Sequence, residues 1–353
     1  MKKGYLVLQD GRVFEGVRFG AEQDTIGELV FNTSVVGYVE NLTDPSYAGQ
    51  IVMQTYPLIG NVGIIRSDLD GECCVKGYVA REFCETPSNF RTDCDLENWM
   101  KEVGVPGLYG VDTRELTRIL REEGVMNATI CDEVPADLTV VQTYAITGAV
   151  AEVTRKEQEV FPAEGEEKFK VCLVDYGTRK YLIRSLQSMG CTVTVVPAST
   201  SAEEILAMDI DGVALSNGPG DPAENDAYIQ QVKALLGKKP VFGVGLGFQL
   251  MALAAGGKTC KLKYGHRGGN QPVRDLKGTR TYITSQNHGY AVEADSVQSG
   301  EVRFVNLNDN TCEGIDFPAW KAFGVQFYPD AAGGKDTAFL FDRFAELMKG
   351  GDL

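Results

Sequence analysis

Histidine is nearly missing from this chain. Its 353 residues contain two, His266 and His288, so any imidazole chemistry is restricted to two positions. Positive charge is also short: 34 Lys and Arg face 49 Asp and Glu, for a net charge of −15. That balance argues against nucleic acid as a main partner, because phosphate binding requires clustered cations. It equally argues against adhesion to an anionic membrane surface. No run of eighteen apolar residues occurs, so no membrane-spanning helix is expected. The start, Met1-Lys2-Lys3-Gly4-Tyr5-Leu6-Val7-Leu8, lacks a signal peptide's apolar region, and a cytoplasmic protein is expected. Also missing is any Cys-x-x-Cys pair. The nine cysteines (73, 74, 84, 94, 131, 172, 191, 260 and 312) are odd in number and irregularly spaced. They signal neither a zinc site nor a disulfide framework. Reduced, mostly buried thiols and no metal constellation are expected.

What is present is an ordinary globular composition, 43% apolar and 24% charged, long enough for two domains. Residues 1–150 carry short alternating segments such as Gly4–Leu8, Leu29–Phe31 and Gln50–Gln54, separated by turn clusters, which predicts a mixed, β-rich domain. A helix is expected over Thr113–Glu123, with Asp112 as its N-cap and Gly124 at its end. Residues 151–168 are charged, poor in large apolar residues, and contain Pro162 and Gly165, the composition of a linker. From 169 to 353 the pattern changes. Apolar runs at Val171–Val174, Thr192–Val196, Val213–Leu215 and Val241–Val244 alternate with helical segments, the mark of an α/β domain whose mostly parallel sheet is flanked by helices. Such sheets place their sites at the carboxyl ends of the strands.

At one such end the sequence reads Pro240-Val-Phe-Gly-Val-Gly-Leu-Gly-Phe-Gln-Leu250. An apolar strand, a turn flanked by Gly243 and Gly247, and a helix have the form of a nucleophile elbow, Gly-x-Nuc-x-Gly. The nucleophile position is Gly245, and no Ser, Thr or Cys lies between Pro240 and Leu250 to replace it. Glycine adopts the positive φ of such a turn without strain. On this stretch alone, a plain strand–glycine–helix connection explains the residues as well as an elbow does.

Four segments occur in a telling order: Ser216-Asn-Gly-Pro-Gly-Asp-Pro222, the elbow with Gln249, Ser285-Gln-Asn-His-Gly-Tyr290, and Val325-Gln-Phe-Tyr-Pro-Asp330. Together they resemble the class I, or triad, glutamine amidotransferase domain. Five more, Phe31-Asn-Thr-Ser-Val-Val-Gly-Tyr38, Leu42-Thr-Asp-Pro-Ser-Tyr47, Tyr56-Pro-Leu-Ile-Gly-Asn-Val-Gly63, Ser88-Asn-Phe-Arg91 and Asp112-Thr-Arg-Glu-Leu-Thr-Arg118, resemble the small subunit of carbamoyl phosphate synthetase. The resemblance runs in order along essentially the whole chain. It implies a C-terminal amidotransferase-like domain, preceded by an N-terminal domain that docks on a large subunit. In that family a Cys-His-Glu triad hydrolyses glutamine, and the ammonia travels to the large subunit, which uses bicarbonate and ATP to make carbamoyl phosphate for pyrimidine and arginine biosynthesis.

By this resemblance the family's Cys falls on Gly245, its His on Tyr328 and its Glu on Asp330, while the elbow's Gly-His-Gln histidine falls on Phe248. A thiolate mechanism needs a sulfur and a base, and a tyrosine with an ordinary pKa near ~10 is a poor base at neutral pH. Loss of glutamine hydrolysis is therefore expected. The resemblance also matches Ser46, Gly218, Gly220, Gln249, Asn287, Gly289 and Tyr290 to positions that hold glutamine, so L-glutamine is the candidate ligand. His288 is read as structural or pocket-lining and His266 as a loop contact. No Gly-x-x-x-x-Gly-Lys-Ser/Thr loop occurs, so no cofactor is expected on this chain; ATP and bicarbonate belong to the partner large subunit. Three functions follow. The first is a non-hydrolysing small subunit that supports an ammonia-using large subunit, as some carbamoyl phosphate synthetases run on ammonia. The second is a stand-alone glutamine or amino-acid sensor, and the third an active enzyme with rewired chemistry.

Overall fold

The alternating segments of the first 150 residues close on themselves. The computed structural model describes residues 2–329 and 337–352, and the chain divides into two units, Met1–Ile146 and Thr147–Leu353. In the first, strands β1 (Lys3–Leu8), β2 (Val13–Gly20), β3 (Thr25–Asn32), β4 (Gln50–Gln54), β5 (Gly77–Val79), β6 (Pro106–Tyr109) and β7 (Met126–Cys131) form a closed barrel. Its order is β1-β2-β6-β5-β4-β3-β7, with β7 returning to β1. Closure leaves no unpaired edge. Val30, Val52, Tyr78, Trp99 and Met100 pack in one buried cluster of this unit. Helix α1 spans Thr113–Glu123, as the capping residues predict: the Asp112 side chain accepts from Glu115 N at 3.0 Å, and Gly124 follows the last turn at φ 102°. Leu116, Ile119 and Leu120 make its buried stripe.

The second unit contains a ten-stranded sheet. Its strands are β8 (Glu159–Phe161), β9 (Phe169–Asp175), β10 (Cys191–Pro197), β11 (Gly212–Leu215), β12 (Val241–Val244), β13 (Thr259–Asp275), β14 (Thr281–Val292), β15 (Glu301–Asn306), β16 (Cys312–Phe317) and β17 (Ala322–Val325). The order is β8-β10-β9-β11-β12-β17-β16-β14-β13-β15. The five strands β10, β9, β11, β12 and β17 run parallel, and antiparallel strands extend them on both sides. Both faces of the parallel part are covered, as near-continuous apolar strands require. Along β9, Val171 and Leu173 join one buried cluster while Cys172 and Val174 join the other. Helices α2 (Lys180–Ser188), α3 (Asp226–Leu235), α4 (Leu246–Ala254) and α5 (Phe339–Met348) supply the covering side chains.

Residues 151–168, which composition marks as a linker, contain β8. It adds to the edge of the sheet, with Val160 opposite Thr194. Arg155 N donates to the buried Asp175 carboxylate at 2.8 Å. Backbone pairing and one buried acid hold the segment, so its polar side chains remain outside and give no apolar signal. All nine cysteines are free thiols; Cys131, Cys172, Cys191 and Cys312 are buried, Cys260 is exposed and the other four are half-buried. Among the described residues, no helix is long and apolar enough to cross a membrane.

The cap of α1 gives a direct test. Asp112→Ala should lower the stability of the first unit by roughly 0.5–2 kcal/mol, read as a lower urea midpoint with an unchanged slope.

Candidate active site

The motif segments of the second unit meet at the carboxyl ends of β11, β12 and β17. From β12 the chain enters Gly245 at φ 56° and ψ −114° and then starts α4. Two backbone hydrogen bonds pin this turn: Gly245 N donates to Val325 O at 2.9 Å and Gly247 N to Ser216 O at 2.9 Å. Gln249 N donates to Gly245 O at 3.1 Å and opens the helix. The flanking glycines are sterically required. A Cβ on Gly247 would lie 2.5 Å from Leu215 O, and one on Gly243 would lie 2.5 Å from Met251 Sδ and 2.9 Å from Phe248 N. Space is easier at Gly245, where the nearest atoms would be Asn217 Cβ at 3.2 Å, Asn217 Cα at 3.4 Å and Gln326 O at 4.0 Å. A Cβ there needs Asn217 to give by a few tenths of an ångström, and the positive-φ backbone disfavours it further.

Beside the elbow, Ser216–Asp221 leaves β11. Ser216 Oγ accepts from Tyr176 N at 2.9 Å, and Asn217 Nδ2 donates to Gly177 O at 2.8 Å. Gly218 must be glycine, since a Cβ would sit 2.3 Å from Tyr176 O, and Gly220 uses φ +87° to turn the loop. Gln249 is buried on the first turn of α4; its Nε2 donates to Tyr290 O at 2.8 Å and to Gln326 Oε1 at 3.0 Å. The elbow, Gln249, Gln326 and Tyr290 are thus one hydrogen-bonded unit. Asn287 lies on β14 opposite Arg267 of β13, and a Cβ on Gly289 would lie 3.1 Å from Arg267 Nη2. Ser46 belongs to the first unit, in the short helix Pro45–Tyr47, where its N–H donates to Asp44 Oδ1 at 2.9 Å. Asp330 lies outside the described residues.

Tyr328 is 6% exposed, and its N–H donates to Ser285 O at 3.0 Å. The Arg179 guanidinium stands over its ring at 4.4 Å, which makes the ring face a cation partner. In this unit burial pushes the Cys172, Cys191 and Cys312 thiols up to about 12, where the thiolate is negligible at neutral pH. Phe248 is wholly buried on α4.

His266 corrects its sequence reading. It lies on β13 rather than in a loop, is buried, and its Nε2 is 2.8 Å from Asp309 Oδ2. The glycines of Tyr264–Asn270 suggest a loop, but they sit in an irregular strand whose register slips between Lys261 and His266 and again between Gly268 and Gln271. Sequence reasoning left Gln326 and Arg179 without a role. Gln326 lies in the Val325–Asp330 segment, two residues before Tyr328, whereas nothing in the sequence pattern marks Arg179.

The parallel sheet, its carboxyl-end loops and the glycine-flanked elbow define a class I glutamine amidotransferase-like unit. The class-I glutamine amidotransferase domain matches residues 172–347, and the carbamoyl-phosphate synthase small chain CPSase domain matches residues 6–130. The carbamoyl phosphate synthase small chain of Fusobacterium nucleatum is 48% identical over 349 residues, covering 96% of each chain. That of Listeria monocytogenes serotype 4b is 45% identical over 365 residues, covering 99% of this chain and 98% of its own. This chain belongs to the carbamoyl phosphate synthase small-chain family. A solved structure, that of a glutamine amidotransferase from Thermotoga maritima, aligns with a TM-score of 0.39 at 17% identity, covering 53% of this chain and 84% of that one.

Gly245→Ala should cost about 1–3 kcal/mol for its left-handed backbone and leave the protein folded. Gly247→Ala should cost more, because its Cβ meets backbone. Thermal unfolding of the two variants compares them.

Proposed function

We propose that this chain is a carbamoyl phosphate synthase small subunit that has lost glutamine hydrolysis and supports a large subunit drawing on free ammonia. The observation that carries the reading is Gly245 at the apex of an otherwise complete elbow. Without a sulfur there, no acyl-enzyme forms. Tyr328, packed beneath Arg179, supplies no imidazole to activate one. The first unit is the docking domain, and ATP and bicarbonate are used on the large subunit, with no cofactor on this chain. Carbamoyl phosphate formation by the cognate large subunit, with and without this protein, tests the reading. Stimulation with ammonia and none with glutamine is expected, and synthesis from glutamine overturns it.

A second reading, a stand-alone amino-acid-binding protein, is favoured by one detail. Gln326 Nε2 is buried without a hydrogen-bond partner, beside the Gln249 amide, and such a donor is suited to a ligand carboxylate. Failure to bind or stimulate a large subunit, together with glutamine binding in calorimetry, selects this alternative.

Restoring chemistry should require the whole constellation. Gly245→Cys alone should release no glutamate above background. Adding Tyr328→His and Asp330→Glu should exceed that single variant by at least about a hundredfold, the usual contribution of a positioned general base.

A further inference from the structure

Both histidines of the chain come together in the second unit, on neighbouring strands. His266 on β13 and His288 on β14 face each other with ring centroids 4.9 Å apart. Glu313, from β16, closes the group, and one ligand atom from each of the three lies within 4.8 Å of the others. All are buried, with relative exposures of 6%, 8% and 0%. Their outward nitrogens are committed. His288 Nδ1 is 2.8 Å from Tyr290 O, a carbonyl that only accepts, so this nitrogen carries the proton. His266 Nε2 faces Asp309 Oδ2 at 2.8 Å.

The inward nitrogens, His266 Nδ1 and His288 Nε2, face one amide and one carboxylate, with Asn306 Nδ2 3.4 Å from His266 Nδ1. Gln286 Nε2 donates to Glu313 Oε2 at 3.0 Å and to Thr284 Oγ1 at 3.1 Å. Those two acceptors orient the amide so that its oxygen points at the histidines, 3.1 Å from His266 Nδ1 and 3.0 Å from His288 Nε2. Glu313 Oε1 joins them, 3.3 Å from His266 Nδ1 and 3.9 Å from His288 Nε2. With Nδ1 donating to Tyr290 O, the other nitrogen of a neutral His288 ring, Nε2, carries the lone pair and faces the Gln286 oxygen at 3.0 Å, two buried acceptors between which a cation fits.

We propose that His266 Nδ1, His288 Nε2, Glu313 Oε1 and Gln286 Oε1 bind one divalent transition-metal ion of the zinc class in a closed, structural site. Two imidazoles and two oxygens form a set suited to zinc and its neighbours. Tetrahedral zinc with bonds of 2.0–2.2 Å has six ligand–ligand edges of about 3.4 Å; four of the six pairs here are separated by 3.0 to 3.9 Å, and the His266, His288 and Glu313 ligand atoms lie within 4.8 Å of one another, a spread that closing on the ion would draw in. The outer contacts are those metal-bound histidines make, one ring N–H to a carboxylate and the other to a backbone carbonyl. The ion would tie together β13, β14 and β16. Tyr290 O accepts from both His288 Nδ1 and Gln249 Nε2, so the site braces the strand carrying Asn287, Gly289 and Tyr290.

The test is elemental analysis of the full chain purified without a metal-affinity tag, followed by chelation and titration with Co²⁺. About one ion per chain is expected, with Co²⁺ restoring a visible d–d absorption and Zn²⁺ raising the melting temperature of the stripped protein. Glu313→Gln and His288→Gln, checked for folding by circular dichroism, should lose the ion. Asp309→Asn should weaken Zn²⁺ by about 10–100-fold. Less than about a tenth of an ion per chain, with neither Co²⁺ absorption nor a Zn²⁺ shift in the wild-type chain, overturns the proposal and leaves a proton-holding network.

Discussion

The backbone of the elbow has almost no room to be anything else, and the site around it inherits its geometry from that fact. Gly247 lies so close to β11 that its N–H reaches Ser216 O while any Cβ would strike Leu215. Gly245 N is held by Val325 on the opposite side. The turn therefore clamps three parallel strands at the point where their carboxyl ends open. Ser216–Asp221 from one side, Gln326 and Tyr328 from the other, and Gln249 from the helix all take their positions from it. The apex residue is the one place where this constraint relaxes, and there the chain carries glycine.

That glycine has a stabilising consequence. An L-residue at φ 56° is strained by about 1–3 kcal/mol, a cost that catalytic turns carry in exchange for an exposed nucleophile. Glycine removes the strain, and the clamp stays fully formed. Keeping the glycines at 243, 247 and 218, each fixed by a close approach, follows from packing alone. Their presence reports on the fold rather than on chemistry.

The same distinction separates what was legible in the sequence from what was not. Helix α1 could be read to the residue because Asp112 and Gly124 are local signals of local geometry. The parallel strands showed as apolar runs because both their faces are buried. The elbow and its loop showed through glycines that steric contact demands. What failed was non-local. β8 is held by backbone pairing to β10 and by Arg155 at Asp175, neither of which leaves an apolar pattern. The hairpin of β13 and β14 contains a glycine-rich, register-shifted stretch that imitates a loop. The grouping of His266 with His288 and Glu313 depends on strands β13, β14 and β16 that no spacing rule connects.

The scarcity of histidine then acquires a structural meaning. The two imidazoles are placed in one buried polar cluster, each ring with a close polar neighbour at both nitrogens. His288, nearest in sequence to the glutamine-site positions, is bound through Nδ1 to Tyr290 O and kept neutral by burial. A ring fixed in that way orients a strand and cannot also swing out to take a proton at Gly245. His266 is gripped between Asp309 and Glu313, so its ring too is fixed within the cluster. Both imidazoles of the chain are thus held in this cluster, and Tyr328 carries the Arg179 guanidinium over its ring. Gly245 at the apex of the turn and Tyr328 under Arg179 are independent features of this fold.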